Sequence, residues 1–156
     1  MSIEVGINLE YIRCEDKPFI AGIHKASKMG YRWVEPMVHN GRELLSEAGY
    51  FNSVSLDEDP LLVRDILQQY CVRASGLSAH CPLMRPEVSV PYLPTPIHFA
   101  AALGAPVVNT DEAIRPPWVT REEAPDITRY PLKAVPRVAE PHGLYVGIQD
   151  PQEFTQ

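Results

Sequence analysis

Short apolar runs alternate with longer amphipathic stretches from the amino-terminal end of the chain onward. Residues 3–9, IEVGINL, form a β-branched run that meets charged residues, as a buried strand does. Residues 17–29 have apolar positions at helical spacing, with Pro18 in the first turn and Gly30 as a stop signal. The pattern therefore predicts a β-α unit, whose helix has an expected buried face formed by Phe19, Ile20, Ile23 and Ala26.

The same alternation continues through residue 150. Further strand patterns occupy residues 31–38, 71–80, 104–112 and 143–150. Strand patterns that alternate with helix patterns favour βαβ units, a parallel sheet and right-handed winding. Between the second and third strands, the pattern predicts a helical piece at 42–48, an irregular loop at 49–55 and a helix at 60–70. Asp59 caps the last of these, and its expected core face is formed by Leu62, Ile66 and Tyr70. A further helix is predicted at 97–103, with its beginning interrupted by Pro91, Pro94 and Pro96.

Residues 121–143 combine helix signals with helix breakers. Thr120 and Glu123 have the spacing of a capping box, and Gly143 stands where a helix usually stops. Four prolines lie between Thr120 and Gly143. A proline inside a helix costs about 3 kcal/mol, and only Pro125 is near enough to the start to be compatible with a helix. The periodicity predicts a helix whose continuity is contradicted by Pro125, Pro131, Pro136 and Pro141.

Composition narrows the class of protein. The 156 residues suit one domain, and a net charge of −6 without a run of Lys or Arg disfavours nucleic-acid binding as the main activity. No signal peptide and no apolar stretch of about 18 residues is apparent, so we expect neither secretion nor a membrane partner. The odd number of cysteines, without CxxC spacing, predicts reduced thiols in a cytoplasmic protein, and nothing supports a catalytic role for Cys14, Cys71 or Cys81.

Polar side chains follow every predicted strand. Because functional groups of parallel α/β folds collect at the carboxyl ends of strands, we expect the functional site there. The strand-end residues are Asn8 and Glu10, then Glu35, then His80, then Asn109, Asp111 and Glu112, and finally Gln149 and Asp150.

Several motifs together resemble the sugar phosphate isomerase/epimerase family of xylose isomerase-like TIM barrels. They are GINLEY, GYRWVEP, GLSAHCPL, LGAPVVNTDE and HGLYVGI, and the resemblance extends from residue 3 to about residue 150. It implies an α/β fold of parallel (β/α) units in a single incomplete TIM-barrel domain over residues 1–156, with about five of the eight strands and truncated after the fifth. It also implies that the carboxyl face binds a sugar and a divalent metal such as Mn, Mg or Zn.

The resemblance implies a metal-assisted isomerase or epimerase of a small sugar or sugar phosphate, acting by proton transfer next to a carbonyl. In many relatives two glutamates move the proton, one of them at the end of the fifth strand. Here Gln149 occupies that position, and an amide cannot act as a base at neutral pH. Asp150 is the adjacent catalytic candidate, although neighbouring strand residues point to opposite faces.

The other candidate residues have assignments that the resemblance favours and plainer alternatives. His80, Asp111 and Glu112 are metal candidates, and Glu35, His80, Asn109 and Trp118 are substrate-binding candidates. The alternative for His80 is a loop histidine bonded to backbone, and the alternative for Glu35 is a solvated charge. Asp111 or Glu112 would instead cap the following segment, and Trp118 would pack into its own loop. We interpret the remaining histidines, His24, His39, His98 and His142, as structural.

The competing hypothesis is a non-catalytic, degenerate or truncated barrel that serves as a scaffold or binds a polyol weakly. Five parallel strands cannot close such a barrel, so two sheet edges and an apolar interior would be exposed. Self-association would cover them, and the pattern therefore predicts a homo-oligomer.

Overall fold

Five parallel strand positions follow one another along the chain in the computed structural model, which describes residues 3–15, 17–40, 52–111 and 115–149. The second and third positions are each divided into two short strands, and one further short strand lies outside the five positions. The strands are β1 Gly6–Asn8, β2 Trp33–Glu35, β3 Val38–His39, β4 Val54–Ser55, β5 Arg73–Ala74, β6 Leu77–Ser78, β7 Val107–Asp111 and β8 Tyr145–Gln149.

The helices lie between these strand positions, as the alternating pattern predicts. They are α1 Phe19–Lys28, α2 Pro60–Gln69, α3 Pro86–Tyr92, α4 Pro94–Leu103, α5 Ala124–Leu132 and α6 Val135–Ala139, with 3₁₀ helices at Leu9–Glu15 and Glu140–His142. Within the described ranges, no helix has both the length and the hydropathy needed to cross a membrane.

The strand order is sequential. β1 pairs with β2 and β2 with β5, while β6 pairs with β7 and β7 with β8, all in parallel. A parallel bridge between Met37 and Ser78 joins the two groups of strands. Sequential parallel strands with intervening helices form the arc of a (β/α) barrel, so the prediction of a partial parallel barrel is confirmed.

The second strand position is interrupted because Pro36 has no N–H to donate to the sheet. Its carbonyl still accepts from the Ser78 N–H at 2.8 Å, which keeps the two groups of strands in contact. Beyond the break, β3 pairs with β4, so the prediction of an irregular loop is wrong for Val54–Ser55. The predicted helical piece at 42–48 lies outside the described residues.

The two faces of the sheet differ in chemistry. Val34, Ala74, Leu77 and Val108 occupy aligned register positions, are almost fully buried and form one core with the helices. The opposite, inner face carries polar side chains along its carboxyl half. The prediction of an apolar barrel interior is therefore wrong for the carboxyl half of this face. The apolar residues of the inner face lie at its amino end: Trp33, Val107 and Tyr145.

The prolines lie near the ends of helices, most of them in a first turn. Pro94 and Pro96 lie in the first turn of α4, where backbone N–H groups have no intrahelical partner, so the predicted interruption of this helix is wrong. The 121–143 segment is divided in the same way, since Pro125, Pro136 and Pro141 each lie in the first turn of a new helical segment. The two interior prolines, Pro91 and Pro131, are each the next-to-last residue of their helix.

The helix-end signals are confirmed. The Asp59 carboxylate accepts from the Leu61 N–H at 2.9 Å at the start of α2. Thr120 and Glu123 form the reciprocal capping box, with Thr120 N donating to Glu123 at 2.9 Å and Glu123 N donating to the Thr120 hydroxyl at 3.2 Å. Gly143 ends the third segment in the left-handed conformation, with φ 65°.

Two predicted helix faces are rotated relative to the structure. In α1 the buried residues are Gly22, Ile23 and Ala26, and Ile20 is exposed, because the first 3₁₀ helix packs against Gly22. A Cβ at Gly22 would lie 2.7 Å from Ile12 Cδ1. In α2 the buried positions are one residue further along, at Val63 and Leu67, so the assignment of Leu62 to the core is wrong.

Candidate functional site

The inner face collects polar side chains from every strand position at the carboxyl end of the sheet. Register places Asn8 beside Glu35, Ser78 beside Asn109, and Asp111 beside Gln149. Parallel strands present their carboxyl ends at one edge, so residues far apart in sequence form a continuous polar surface there. We call this set the inner polar face: Asn8, Glu10, Glu35, Ser78, His80, Asn109, Asp111 and Gln149.

His80 is held at both ring nitrogens. Its Nδ1 lies 2.9 Å from Asp111 Oδ2 and its Nε2 lies 2.8 Å from Ser78 Oγ. An ionised aspartate only accepts, so the Nδ1–H donates to it, and the Ser78 hydroxyl donates to the Nε2 lone pair of the neutral ring. The two contacts fix the orientation of the imidazole, and in its neutral form they place the proton on Nδ1.

The environment of His80 favours its charged form. The hydrogen bond with Asp111 is the largest cause that raises the pKa of His80, and burial opposes it. The negative charges of Asp111, Glu10 and Glu35 raise this pKa further. The inner polar face thus combines an imidazole that is protonated more readily than usual with several carboxylates.

Asn109 connects the middle of the face. Its Nδ2 donates to Glu35 Oε1 at 3.0 Å, across 74 residues of sequence. The neighbouring position on β8 is Gly147, where a Cβ would lie only 2.5 Å from Asn109 Oδ1. The missing side chain at Gly147 leaves room for the Asn109 amide, which in turn orients the Glu35 carboxylate.

The metal candidates fit a cation only in part. Asp111 Oδ1 is buried without a hydrogen-bond partner, as an acceptor directed at a cation would be. Both nitrogens of His80 are already bonded, however, and within the described ranges no three His, Cys, Asp or Glu side chains form a group able to hold a metal ion. Glu112 lies outside the described residues, and those that are described do not form a metal centre by themselves.

Gln149, the catalytic candidate that the structure describes, lies at the edge of the inner polar face. Gln149 is the last residue of β8, pairs in register with Asp111 and is exposed. Asp150 lies outside the described residues. The described part of β8 thus brings an amide, and not a carboxylate, to the position next to Asp111.

Trp118 stands out from the loop after β7. It is 69% exposed, while the adjacent Val119 is buried in a small cluster with Met84 and Ala124. The guanidinium of Arg85, in the loop after β6, lies 5.3 Å from the centre of the Trp118 ring. The alternative of a tryptophan packed into its loop does not agree with this exposure, and the substrate-binding role of Trp118 stays a prediction.

Two contributors were missed by sequence reasoning. Ser78 lies two residues before His80, and strand alternation alone would have placed both side chains on the same face. Arg85 gives no local signal, because its contact with Trp118 depends on two loops that only the fold brings together.

His39 and Cys81 lie outside the inner polar face, and their burial favours a structural role. Burial lowers the pKa of His39, whose Nδ1 lies 2.7 Å from the Ser53 hydroxyl, in keeping with its structural interpretation. Burial raises the pKa of the Cys81 thiol to about 11, which leaves it neutral and unsuited to nucleophilic attack.

The architecture and the polar strand ends define an arc of a (β/α) barrel with a candidate site at its carboxyl face. Solved structures with this fold include a xylose isomerase domain containing protein from Salmonella typhimurium LT2, with 17% identity over 95% of this chain and 50% of that one, and a TM-score of 0.67. Another is the IolI protein with a bound zinc atom, with 15% identity over 94% and 51% of the two chains and a TM-score of 0.67.

A third is a D-allulose 3-epimerase from Methylomonas sp. in complex with D-allulose, with 18% identity over 94% of this chain and 50% of that one, and a TM-score of 0.62. The chain spans about half the length of these solved structures. No family model and no curated protein sequence matches the chain. The resemblance to xylose isomerase-like barrels is thus confirmed at the level of the fold.

Proposed function

We propose that the inner polar face binds a small sugar or sugar phosphate and that the protein is an isomerase or epimerase that moves a proton next to the sugar carbonyl. The observation that carries this proposal is the convergence of polar side chains from all five strand positions on one face. The bonds His80–Asp111 and Glu35–Asn109 hold four of them in fixed orientations.

A sugar is the ligand class that matches this chemistry. The inner polar face offers carboxylate and amide acceptors, amide donors and an imidazole, which are the groups that hydroxyls bond. The exposed ring of Trp118 offers an apolar surface for the C–H side of a sugar ring. The fold agrees with this choice, since the Methylomonas epimerase with the same architecture was solved in complex with D-allulose.

Two carboxylates are the proposed proton-transfer groups. Glu35 supplies a carboxylate that Asn109 already orients, and Asp150 is the predicted carboxylate next to the end of β8. Gln149 positions substrate hydroxyls through its amide and does not accept a proton. General acid–base catalysis of this kind typically contributes a rate factor of about 10²–10⁴.

A divalent metal stays a prediction from the family resemblance, supported by the zinc bound in the IolI structure. When bound, such an ion polarises the carbonyl of the substrate. Asp111 and Glu112 are its proposed ligands, with the unpartnered Asp111 Oδ1 as the supporting observation. A thermal melt with and without millimolar Mn²⁺ tests this, since Asp111→Asn should abolish any rise in Tm.

The deciding experiment for the enzyme proposal is solvent exchange. The protein is incubated in D₂O with a panel of ketoses, aldoses and their phosphates, and proton NMR follows deuterium incorporation at the carbon next to the carbonyl. Glu35→Gln should reduce the exchange rate by about 10²-fold or more, in line with the loss of an acid–base group. Asp65→Asn, on the exposed surface of α2, is the matched control and should leave the rate unchanged.

The second candidate function is a non-catalytic polyol binder. It is favoured by Gln149, which lies at the strand end next to Asp111 without offering a proton acceptor. Quenching of tryptophan fluorescence by a sugar, without deuterium exchange, would select this function. If neither binding nor exchange is detected for any sugar in the panel, both proposals are wrong.

A cytoplasmic location stays a prediction from the cysteines, of which Cys71 and Cys81 are free thiols. The predicted homo-oligomer is also a proposal, and sedimentation equilibrium of the chain tests it.

A further inference from the structure

Two histidines that are distant in sequence form a pair of rings on the outer surface of the arc. His98 lies on α4, and His142 is the last residue of the second 3₁₀ helix. Their ring centroids are 5.4 Å apart, and the ring planes are nearly perpendicular, at 87°. Both side chains are exposed, so packing into the core does not account for their approach.

The imidazoles of this pair are not engaged by other groups in the described part of the chain. Neither His98 nor His142 has a hydrogen bond or an ion pair there. His80, by contrast, is bonded at both of its ring nitrogens. A neutral imidazole carries one nitrogen lone pair that can accept a proton or bind a metal ion. The lone pairs of His98 and His142 are therefore available to a ligand from solution.

The fold holds the backbone of both histidines in place. The residues on either side of His98 are buried in the core, so α4 cannot shift without disturbing that packing. The turn that carries His142 is closed by the Gly143 N–H, which donates to the Glu140 carbonyl at 3.0 Å. Because the fold already brings the two rings together, a ligand that binds both has little ordering entropy to overcome.

The separation of the rings suits two imidazoles on one metal ion. An imidazole nitrogen lies about 2.0–2.1 Å from a bound zinc ion, so two rings on one tetrahedral ion have centroids about 5 Å apart. The observed 5.4 Å is close to this spacing, and rotation about the side-chain bonds can direct one nitrogen of each ring at a shared ion. Imidazole suits Cu²⁺, Ni²⁺ and Zn²⁺, whereas Mg²⁺ and Mn²⁺ favour oxygen ligands.

We propose that His98 and His142 form an open binding site for a divalent transition metal, with Cu²⁺ bound more tightly than Ni²⁺ or Zn²⁺. Two protein ligands leave the remaining coordination positions to water, unlike a structural zinc site with four protein ligands. A bound ion connects α4 to the segment before β8. It stabilises the folded state, because the two ligands are close together only there.

This site is separate from the inner polar face. α4 ends shortly before β7 begins, and His142 lies shortly before the first residue of β8. The pair therefore lies toward the amino ends of these strands, whereas the inner polar face lies at their carboxyl ends. The inference does not depend on the proposed sugar chemistry or on the metal proposed beside Asp111.

The first test is titration calorimetry of the full chain with Ni²⁺, since the thiolates of free cysteines compete for softer ions. We expect Ni²⁺ binding by the wild type. His98→Gln and His142→Gln should each lower the affinity by about 10²-fold, because the loss of one ring converts chelation into a single contact. His24→Gln is the matched control, since it removes an exposed imidazole on α1 and leaves the pair intact, and it should bind Ni²⁺ like the wild type.

Electron paramagnetic resonance of bound Cu²⁺ counts the nitrogen ligands directly. We expect coupling to two imidazole nitrogens in the wild type and in Asp111→Asn, and to one in either variant of the pair. The inference would be overturned by a wild type that does not bind Ni²⁺, by equal losses in His24→Gln and the pair variants, or by a one-nitrogen spectrum of the wild type. Circular dichroism checks that each variant folds, and the spectrum of the wild type decides the question without any variant.

Discussion

Gly147→Ala tests whether the contact between β7 and β8 determines the position of Asn109. The added Cβ would lie 2.5 Å from Asn109 Oδ1, and separations below 3.0 Å essentially never occur. The amide has to turn away, which breaks its 3.0 Å bond to Glu35. Without that contact, Ala in place of Gly inside a strand would stabilise the protein by about 0.5–1 kcal/mol.

The gain from Ala in a strand stabilises the protein and the loss of the Asn109–Glu35 hydrogen bond destabilises it, so the sign of the change in Tm shows which effect is larger. A hydrogen bond to a charged group contributes about 1.5–3 kcal/mol, and subtraction of the strand gain leaves a net loss of about 1–2 kcal/mol. For a domain of this size, 1 kcal/mol corresponds to about 2–4 °C, so Tm should fall by about 2–8 °C. Differential scanning calorimetry measures both Tm and the unfolding enthalpy.

A double-mutant cycle isolates the cause. In an Asn109→Ala background the clash is absent, so Gly147→Ala should stabilise the protein by about 0.5–1 kcal/mol. The coupling energy between the two sites should then be about 1.5–3 kcal/mol, the contribution of the lost hydrogen bond. An unchanged or raised Tm for Gly147→Ala alone, or an equal loss in both backgrounds, would refute the proposed link between Gly147, Asn109 and Glu35.

Three further predictions concern charge, thiol reactivity and helix capping. The pKa of His80 is higher in the folded protein than in the unfolded chain. Its pair with Asp111 therefore contributes its full stabilisation below the unfolded-state pKa, and this contribution is lost as pH rises through the folded-state pKa. Thermal melts from pH 5.5 to 8.5 should show this loss in the wild type and not in Asp111→Asn. Exposed Cys71 should react with iodoacetamide at pH 8 at least 10-fold faster than buried Cys81, as followed by peptide mass spectrometry, and equal rates would contradict the burial of Cys81. Thr120→Ala removes the capping box and should cost about 0.5–2 kcal/mol in a urea melt, whereas an unchanged midpoint would mean that the box does not stabilise the fold.

The strand positions could be predicted because their signals are local. Each consists of a short apolar run between polar or glycine boundaries, and all five predicted runs contain parallel strands. The cap of α2 at Asp59 and the stop at Gly143 follow from the preferences of single residues. Such signals act within a few residues and do not depend on the rest of the fold.

The prolines illustrate where a local rule is incomplete. A proline inside a helix is unfavourable, but the same residue in a first turn is not, because its missing N–H has no partner there. The prediction treated residues 121–143 as one helix, whereas the chain divides them into three short segments that place Pro125, Pro136 and Pro141 at favourable positions. Sequence periodicity alone does not show where the chain restarts a helix.

The sequence by itself determined the order of strands and helices, the positions of most helix ends and the polar residue at each strand end, because these depend on neighbouring residues. The tertiary structure decided which of those polar residues meet. The bond between Glu35 and Asn109 spans 74 residues, and the contacts of His80 with Ser78 and Asp111 depend on the alignment of two strands. Packing also rotated the buried faces of α1 and α2. It turned the polar side chains of the strands inward, because the described helices cover the outer side of the sheet.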